Sequence, residues 1–320
     1  MSGMYKNEGN ILLSICIPTY NRGEILHKTL EIYINDPAFD ERVEIVISDN
    51  CSTDQTEELV KNYLIKYKNI KYNRLPENIG AELNINTVVS MGSGLYLKLM
   101  NDSVTMRPGV LKSMLDILSS EKNEMKAVFF YQNISFLHSD EIVYCSSIDD
   151  LVSNVSFWIT WIANFGVWRK DFDLLTDKDR LAHLQFTQTD WTIRLINRDR
   201  GSKFFFGNYY ITAELDSKGG YNVFKTFGIN YLSLYDEYLK SNSLRKKTFN
   251  TEKYRLFRYF IVAWYQILII SKDKKYVFEK KDANKILMEN FKYKPYFYFG
   301  ILYLKIRFIL QKLKFYLLHS

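Results

Sequence analysis

Four short apolar runs, each closed by a polar cluster and followed by a helical pattern, fill the first 120 residues of the chain and constrain its fold most tightly. Residues 11–17 form an apolar run ended by Pro18. Ile25, Leu26, Thr29, Leu30 and Tyr33 then recur at the spacing of one buried helix face. Residues 43–48 make the next run, and Ser52-Thr53-Asp54-Gln55 reads as a capping box opening a helix that buries Leu59, Val60, Tyr63 and Leu64. Residues 70–75 and 95–100 are the third and fourth strands, with a helix over 81–90 between them. Pro108 stands where a first-turn proline would start a helix carrying Val110, Leu111, Met114 and Leu115. Repeated strand–helix units predict an α/β fold on a parallel sheet with right-handed crossovers. Ligands of such sheets bind at the carboxyl ends of the strands. Thr19-Tyr20-Asn21-Arg22, Asp49-Asn50 and Asn101-Asp102-Ser103 all fall there.

Beyond residue 127 the alternation loosens. Strands are expected at 127–131, 142–145, 165–169 and 203–212, a helix at 190–197, and a flexible loop at Ser217-Lys218-Gly219-Gly220. From about Ile229 the chain turns helical, basic and aromatic. The domain expectation is therefore a catalytic domain over 1–230 and a helical C-terminal region over 231–320.

Charge supports that division. The net charge is +7, but residues 231–320 hold 19 Lys and Arg against 7 Asp and Glu, while residues 1–230 carry an acidic balance. From Phe291 onward there is no Asp or Glu at all, and cations alternate with aromatics through Tyr293, Tyr296, Phe297, Tyr298 and Phe299. That mixture suits an anionic membrane surface better than nucleic acid. At 100° per residue, Lys305 and Lys312 share one side of a helix while Arg307 and Lys314 lie nearly opposite, so a packing or oligomer helix stays open beside the membrane reading. The three scattered cysteines, Cys16, Cys51 and Cys145, build no disulfide framework and show no metal-ligand spacing. With a polar N-terminus and no apolar run long enough to span a bilayer, the expected location is cytoplasmic, peripheral at the inner membrane face.

Ile17-Pro18-Thr19-Tyr20-Asn21-Arg22, Ile47-Ser48-Asp49-Asn50-Cys51-Ser52-Thr53-Asp54, Pro76-Glu77-Asn78-Ile79-Gly80 and Leu99-Met100-Asn101-Asp102-Ser103 stand in that order before Pro108-Gly109. Together they resemble family-2 glycosyltransferases with the GT-A fold, in particular the O-antigen and capsule subgroup that includes abequosyltransferase-like enzymes. The resemblance covers roughly residues 11–230. It implies an inverting transfer of a sugar from a nucleotide-diphosphate donor to a lipid-linked glycan acceptor in bacterial surface polysaccharide synthesis. Alternatives are a sugar-phosphate nucleotidyltransferase, which normally carries a Gly-rich loop after its first strand, and a GT-A binding protein that has lost catalysis.

The resemblance also implies residue roles. Pro18, Thr19, Tyr20 and Arg22 would line the base and ribose pocket, Asp49 would accept a hydrogen bond from the base, and Asn78, Asn101 and Asp102 would complete the donor site. Turn closure and simple solvation are the plainer readings of Thr19 and Asp49. The family pattern places an acid on a divalent metal, Mn²⁺ or Mg²⁺, where this chain has Ser103. A hydroxyl is a poor substitute for a carboxylate on such ions. Asp102 could then take the metal itself, the metal could bind through the diphosphate, or Lys98, Arg107 or Lys218 could neutralise the leaving group in its place. Asp190 matches the general base that deprotonates the acceptor, although an i,i+4 pair with Arg194 fits the same spacing. His183 is a weaker candidate for a metal or phosphate contact.

Overall fold

The structure, a computed structural model, describes residues 11–124, 126–196, 201–214 and 218–319; the side chains of Lys218 and of residues 311–319 lie outside it. Expectations resting on the first ten residues, on Ser217, and on the side chains of Lys218, Lys312 and Lys314 thus fall outside the described residues. The chain forms two compact units, Met1–Glu214 and Leu215–Ser320. Residues 215–230, read with the catalytic part on sequence, group with the second.

The first unit is built on strands β1 (Leu13–Thr19), β2 (Val43–Asp49), β3 (Ile70–Arg74) and β4 (Tyr96–Leu99), interleaved with helices α1 (Gly23–Ile34), α2 (Thr56–Lys66) and α3 (Ala81–Met91). Strand β5 (Val104–Met106) and helix α4 (Val110–Glu121) follow, then β6 (Ala127–Gln132), β7 (Ile142–Cys145), helix α5 (Ile148–Val155) and β8 (Gly166–Trp168). Helices α6 (Arg169–Asp173) and α7 (Thr187–Ile196) precede β9 (Ser202–Gly207) and β10 (Tyr210–Thr212).

The main sheet has the order β3-β2-β1-β4-β8. Pairings β1–β2, β2–β3 and β1–β4 are parallel, and β8 runs antiparallel to β4. The α/β expectation is met, with one antiparallel edge added. Every residue of β2 is buried, because helices cover both faces of a parallel sheet. That burial traps the Glu44 carboxylate, which must be paired to be tolerated. Ser14 Oγ donates to it at 2.6 Å, the Ser93 backbone N–H donates at 2.5 Å, and Lys71 Nζ lies 2.8 Å away.

Strand order places the site. From β1 the chain steps outward to β2 and β3, then returns to the other flank of β1 as β4. The direction of winding reverses between β1 and β4, the place at which open α/β sheets bind ligands beyond the carboxyl ends of their strands.

Three local expectations change. The helix α2 is not opened by a capping box: Ser52 Oγ accepts from the Asn21 N–H at 2.8 Å, and Asp54 Oδ1 takes the Thr56 N–H at 3.1 Å instead. Helix α4 begins at Val110 behind Gly109, whose φ of +80° is the left-handed turn that glycine permits, so Pro108 stands ahead of the first turn. The single late strand splits into β9 and β10, because the Gln132 carboxamide accepts the N–H groups of both Tyr209 and Tyr210 at 3.0 Å and turns the chain. Strand β9 joins β6 and β7 in a second sheet, with Phe129 stacked on Phe204 at 4.8 Å.

The second unit is mostly helical. Strands β11 (Lys218–Asn222) and β12 (Tyr276–Glu279) pair in parallel within it, followed by the helix Ala283–Phe291 and a long helix Pro295–His319. No helix among the described residues is long and apolar enough to cross a membrane.

Candidate functional site

The loops after β1 and β2 are zipped together. Asn21, at a φ of +51°, accepts the Thr53 N–H on its Oδ1 at 2.7 Å while its own N–H bonds Ser52 Oγ. The Gly23 N–H donates to Asp54 Oδ2 at 3.0 Å. A side chain at Gly23 would put its Cβ 3.0 Å from the Thr56 nitrogen, so the first turns of α1 and α2 pack tightly enough that a larger residue would push them apart by a few tenths of an ångström.

Beyond the carboxyl ends of β1 and β4 three predicted residues meet. Thr19 Oγ1 donates to Asp102 Oδ2 at 3.1 Å, and Arg22 Nη1 donates to Asp102 Oδ1 at 3.1 Å. Thr29 Oγ1, on α1, fixes the loop by donating to the Asp102 carbonyl at 2.7 Å. Burial raises the Asp102 carboxyl above the usual carboxylate range, outweighing the lowering by Arg22 and Thr19. Arg22 keeps part of its side chain in solvent, and Tyr20 is 43% exposed at the same strand end, leaving its ring free to stack. The Asn101 Oδ1 is buried without a hydrogen-bond partner in the protein, so an acceptor stands ready beside Asp102 for a donor from a ligand.

Asp49, expected to accept from a base, also accepts from within the protein. It is fully buried, its Oδ1 accepting the Ser52 N–H at 2.9 Å and its Oδ2 accepting the Tyr72 hydroxyl at 2.7 Å. It ties the loop after β2 to β3. Asn78 is joined to the same loop: Asn50 Nδ2 donates to its Oδ1 at 2.8 Å, and the Ile79 N–H bonds Asn50 Oδ1 at 2.9 Å. Pro18 lies in β1 opposite Ser48.

Asp190 also departs from expectation. Its side chain is 2% exposed and faces two guanidinium groups. Arg180 Nη2 and Nε reach Oδ1 at 2.5 and 3.0 Å, and Arg194 Nε lies 3.0 Å from Oδ2. The i,i+4 pair is what the structure contains, with Arg180 added. Arg194 Nη1 in turn holds the Thr176 carbonyl at 2.7 Å, Trp191 Nε1 holds the Lys178 carbonyl at 2.8 Å, and Asn86 Nδ2 on α3 holds Asp179 at 2.9 Å. These contacts bind the segment before α7 to α7 and α3. Glu82 completes the arrangement by accepting the Thr187 N–H at the start of α7, at 2.8 Å; burial raises its carboxyl above the usual range.

Lys98 cannot neutralise a phosphate. It is fully buried, its Nζ donating to the carbonyls of Ala163 and Phe165, and burial pushes its ammonium well below the usual lysine range. Arg107 is exposed and holds Asn208 Oδ1 at 3.1 Å; His183 is exposed on a short turn.

A resident divalent ion does not fit these residues. Among the described residues no three His, Cys, Asp or Glu converge. At Asp102 and Ser103 the protein offers one carboxylate, with both oxygens already hydrogen-bonded, and one neutral hydroxyl. Magnesium-type ions are commonly held by one or two carboxylates together with substrate phosphates. The donor set suits an ion that arrives with a diphosphate.

Sequence reasoning missed Tyr72, Thr29, Arg180 and Glu82. Their signal was positional only: Tyr72, Thr29 and Arg180 act on Asp49, Asp102 and Asp190 from other elements, and Glu82 acts on the start of α7.

Known proteins resemble this chain in sequence and in fold. Residues 14–159 match the family described as Glycosyl transferase family 2. An abequosyltransferase, RfbV of Salmonella typhimurium, is 37% identical over 122 residues, 36% of this chain and 37% of its own length. The chain thus spans little more than a third of that relative. The TarS protein of S. aureus, residues 1–349, solved with UDP-GlcNAc, superposes with a TM-score of 0.56 at 15% identity, covering 81% of this chain and 76% of that one. The mannosyltransferase PcManGT of Pyrobaculum calidifontis, solved with GDP-Man and Mn²⁺, gives 0.52 at 13% identity, covering 95% and 88%. Both likenesses establish the GT-A-type fold.

Proposed function

From a chain that carries a family-2 glycosyltransferase domain over residues 14–159, we propose an enzyme that moves a sugar from a nucleotide-diphosphate donor onto a lipid-linked glycan acceptor in bacterial surface polysaccharide synthesis. The observation that carries this reading is the meeting of Thr19, Arg22 and Asp102 at the reversal point of the parallel sheet, where open α/β sheets bind nucleotides. Tyr20 stacks on the base, the unpartnered Asn101 Oδ1 and Asp102 receive ribose hydroxyls, and Arg22 turns its exposed guanidinium toward the diphosphate. Transfer is a single displacement with inversion, of a hexose or deoxyhexose. Should a divalent ion take part, Asp102 and the Ser103 hydroxyl would help to hold it with the donor's phosphates, and it would add charge stabilisation to the leaving group.

Asp190 is assigned to positioning: it fixes Arg180 and Arg194 and with them the wall before α7. The relatives named above support a donor of the nucleotide-sugar class, and the basic, aromatic C-terminal region supports an acceptor held at a membrane. Incubation of the protein with nucleotide-sugars and a polyprenyl-diphosphate glycan, followed by nucleotide-diphosphate release, tests the proposal. Acceptor-dependent release is expected. Tight nucleotide binding with no turnover on any acceptor would instead favour the catalytically degenerate reading, for which Ser103 and the enclosed Asp190 are the supporting observations.

A further inference from the structure

The helix Pro295–His319 has two apolar faces, and its own unit uses only one of them. Phe297 and Leu304 are buried, with Phe297 packed against Phe257 and Phe291. Gly300 lets the backbone approach: a Cβ there would lie 2.7 Å from the Phe257 ring. On the far side Tyr298, Phe299, Leu302, Tyr303, Ile306 and Leu310 are all exposed, from 49% to 72%. At about 100° per residue these six span roughly 140°, centred about opposite Phe297 and Leu304.

The order across that stripe is informative. Leu302, Ile306 and Phe299 run along its middle. Tyr298 and Tyr303 form its two borders. Lys305 lies just outside the Tyr298 border and Arg307 just outside the Tyr303 border, both exposed. The two cations that look opposed on sequence therefore bracket one apolar face.

We propose that this stripe lies in the headgroup layer of an anionic bilayer, with the helix axis parallel to the surface. Aliphatic and Phe side chains at the centre enter the acyl boundary, tyrosines place their hydroxyls at the headgroups, and flanking cations extend to lipid phosphates. Charge selects this occupant. Residues 291–320 hold six Lys and Arg and no acid, so two copies joined stripe to stripe would bring cationic borders against each other, whereas anionic lipid is complementary to them. The helix is too polar to span a bilayer. The inference rests on the membrane-held acceptor proposed above for its purpose, but its test involves no sugar transfer.

The test is flotation of the full chain with phosphatidylcholine vesicles, with and without phosphatidylglycerol. Binding to the anionic vesicles is expected, falling with salt. Near-surface cations are each worth roughly fivefold in partitioning, so Lys305→Gln with Arg307→Gln should lower it about 25-fold. Ile306→Asp, at an exposed position, should abolish it with the far-UV circular dichroism unchanged. Equal partitioning onto neutral and anionic vesicles, or none onto either, would overturn the proposal. So would a dimer of the wild type that Ile306→Asp converts to monomer, since a second copy would then cover the stripe. Loss of nucleotide binding with vesicle binding intact would count against the donor site alone.

Discussion

Replacing Asp190 by Asn separates the two roles available to that residue. The carboxylate is almost wholly buried between Arg180 and Arg194, whose side chains are 24% and 17% exposed. The variant keeps the shape but removes the charge, and turns an NH₂ group toward one guanidinium. Removing one member of a buried ion pair costs about 3–5 kcal/mol, because the remaining charge is left uncompensated. For a domain of this size each kcal/mol moves the melting midpoint by roughly 2–4 °C, so a fall of about 6–20 °C is expected. Differential scanning calorimetry reads it directly. Arg180→Met should lower the midpoint as well, and the double variant should lose less than the two single losses added. If Asp190→Asn melted within about 2 °C of the wild type yet abolished transfer, the positioning role would be refuted. The carboxylate would then be acting on the acceptor as a general base.

Three further outcomes follow from the same geometry. Glu44→Gln should cost about 2–3 kcal/mol in urea unfolding at neutral pH, since it strips the charge from a buried acceptor of four donor groups. Burial alone would raise the Glu44 carboxyl, yet Lys71, Ser14 and Ser93 together hold it below the usual range. The wild-type advantage is therefore complete above the unfolded-state value and disappears as pH falls through the lower folded one; a variant equally stable throughout would contradict this. Asp102, with its carboxyl raised, takes up a proton ahead of ordinary carboxylates on acidification and loses its pairing with Arg22. Nucleotide-diphosphate affinity should fall with it, and Asp102→Asn should flatten that pH dependence; an unchanged profile in the variant would remove Asp102 from the site. Mn²⁺ titrated calorimetrically into the protein alone should show no binding tighter than the millimolar range, and should bind once a nucleotide diphosphate is present. Tight binding without nucleotide would reveal a resident site.

Much of this arrangement is legible in the sequence, for a definite reason. Strands such as β2 are mostly apolar and wholly buried, and the polar residues that end or follow them, Thr19, Asp49 and Asp102, mark the carboxyl edge of the sheet whatever the packing. What sequence does not carry is which partners hold each acid. Asp49 and Asp102 look alike in their motifs, but Tyr72, on the neighbouring strand, occupies the first, whereas partly exposed Arg22 reaches the second. Asp190 was ambiguous for the same reason: its pair with Arg194 is visible at i,i+4, while Arg180 arrives from an irregular segment with no periodicity. The C-terminal helix shows the opposite case. Its cations look scattered because both of its faces are apolar, and only the burial of Phe297 and Leu304 identifies which face is left over.

The central claim is that Thr19, Arg22 and Asp102 at the strand reversal hold a nucleotide diphosphate. It is tested most directly by thermal shift of the purified chain against UDP-, dTDP-, GDP- and CDP-sugars, repeated with Arg22→Ala. A ligand at ~100 times its dissociation constant adds about 2.7 kcal/mol. One nucleotide class should raise the wild-type midpoint, and the same ligand should raise that of Arg22→Ala much less. No shift with any nucleotide-sugar, or an equal shift in the variant, would contradict the account.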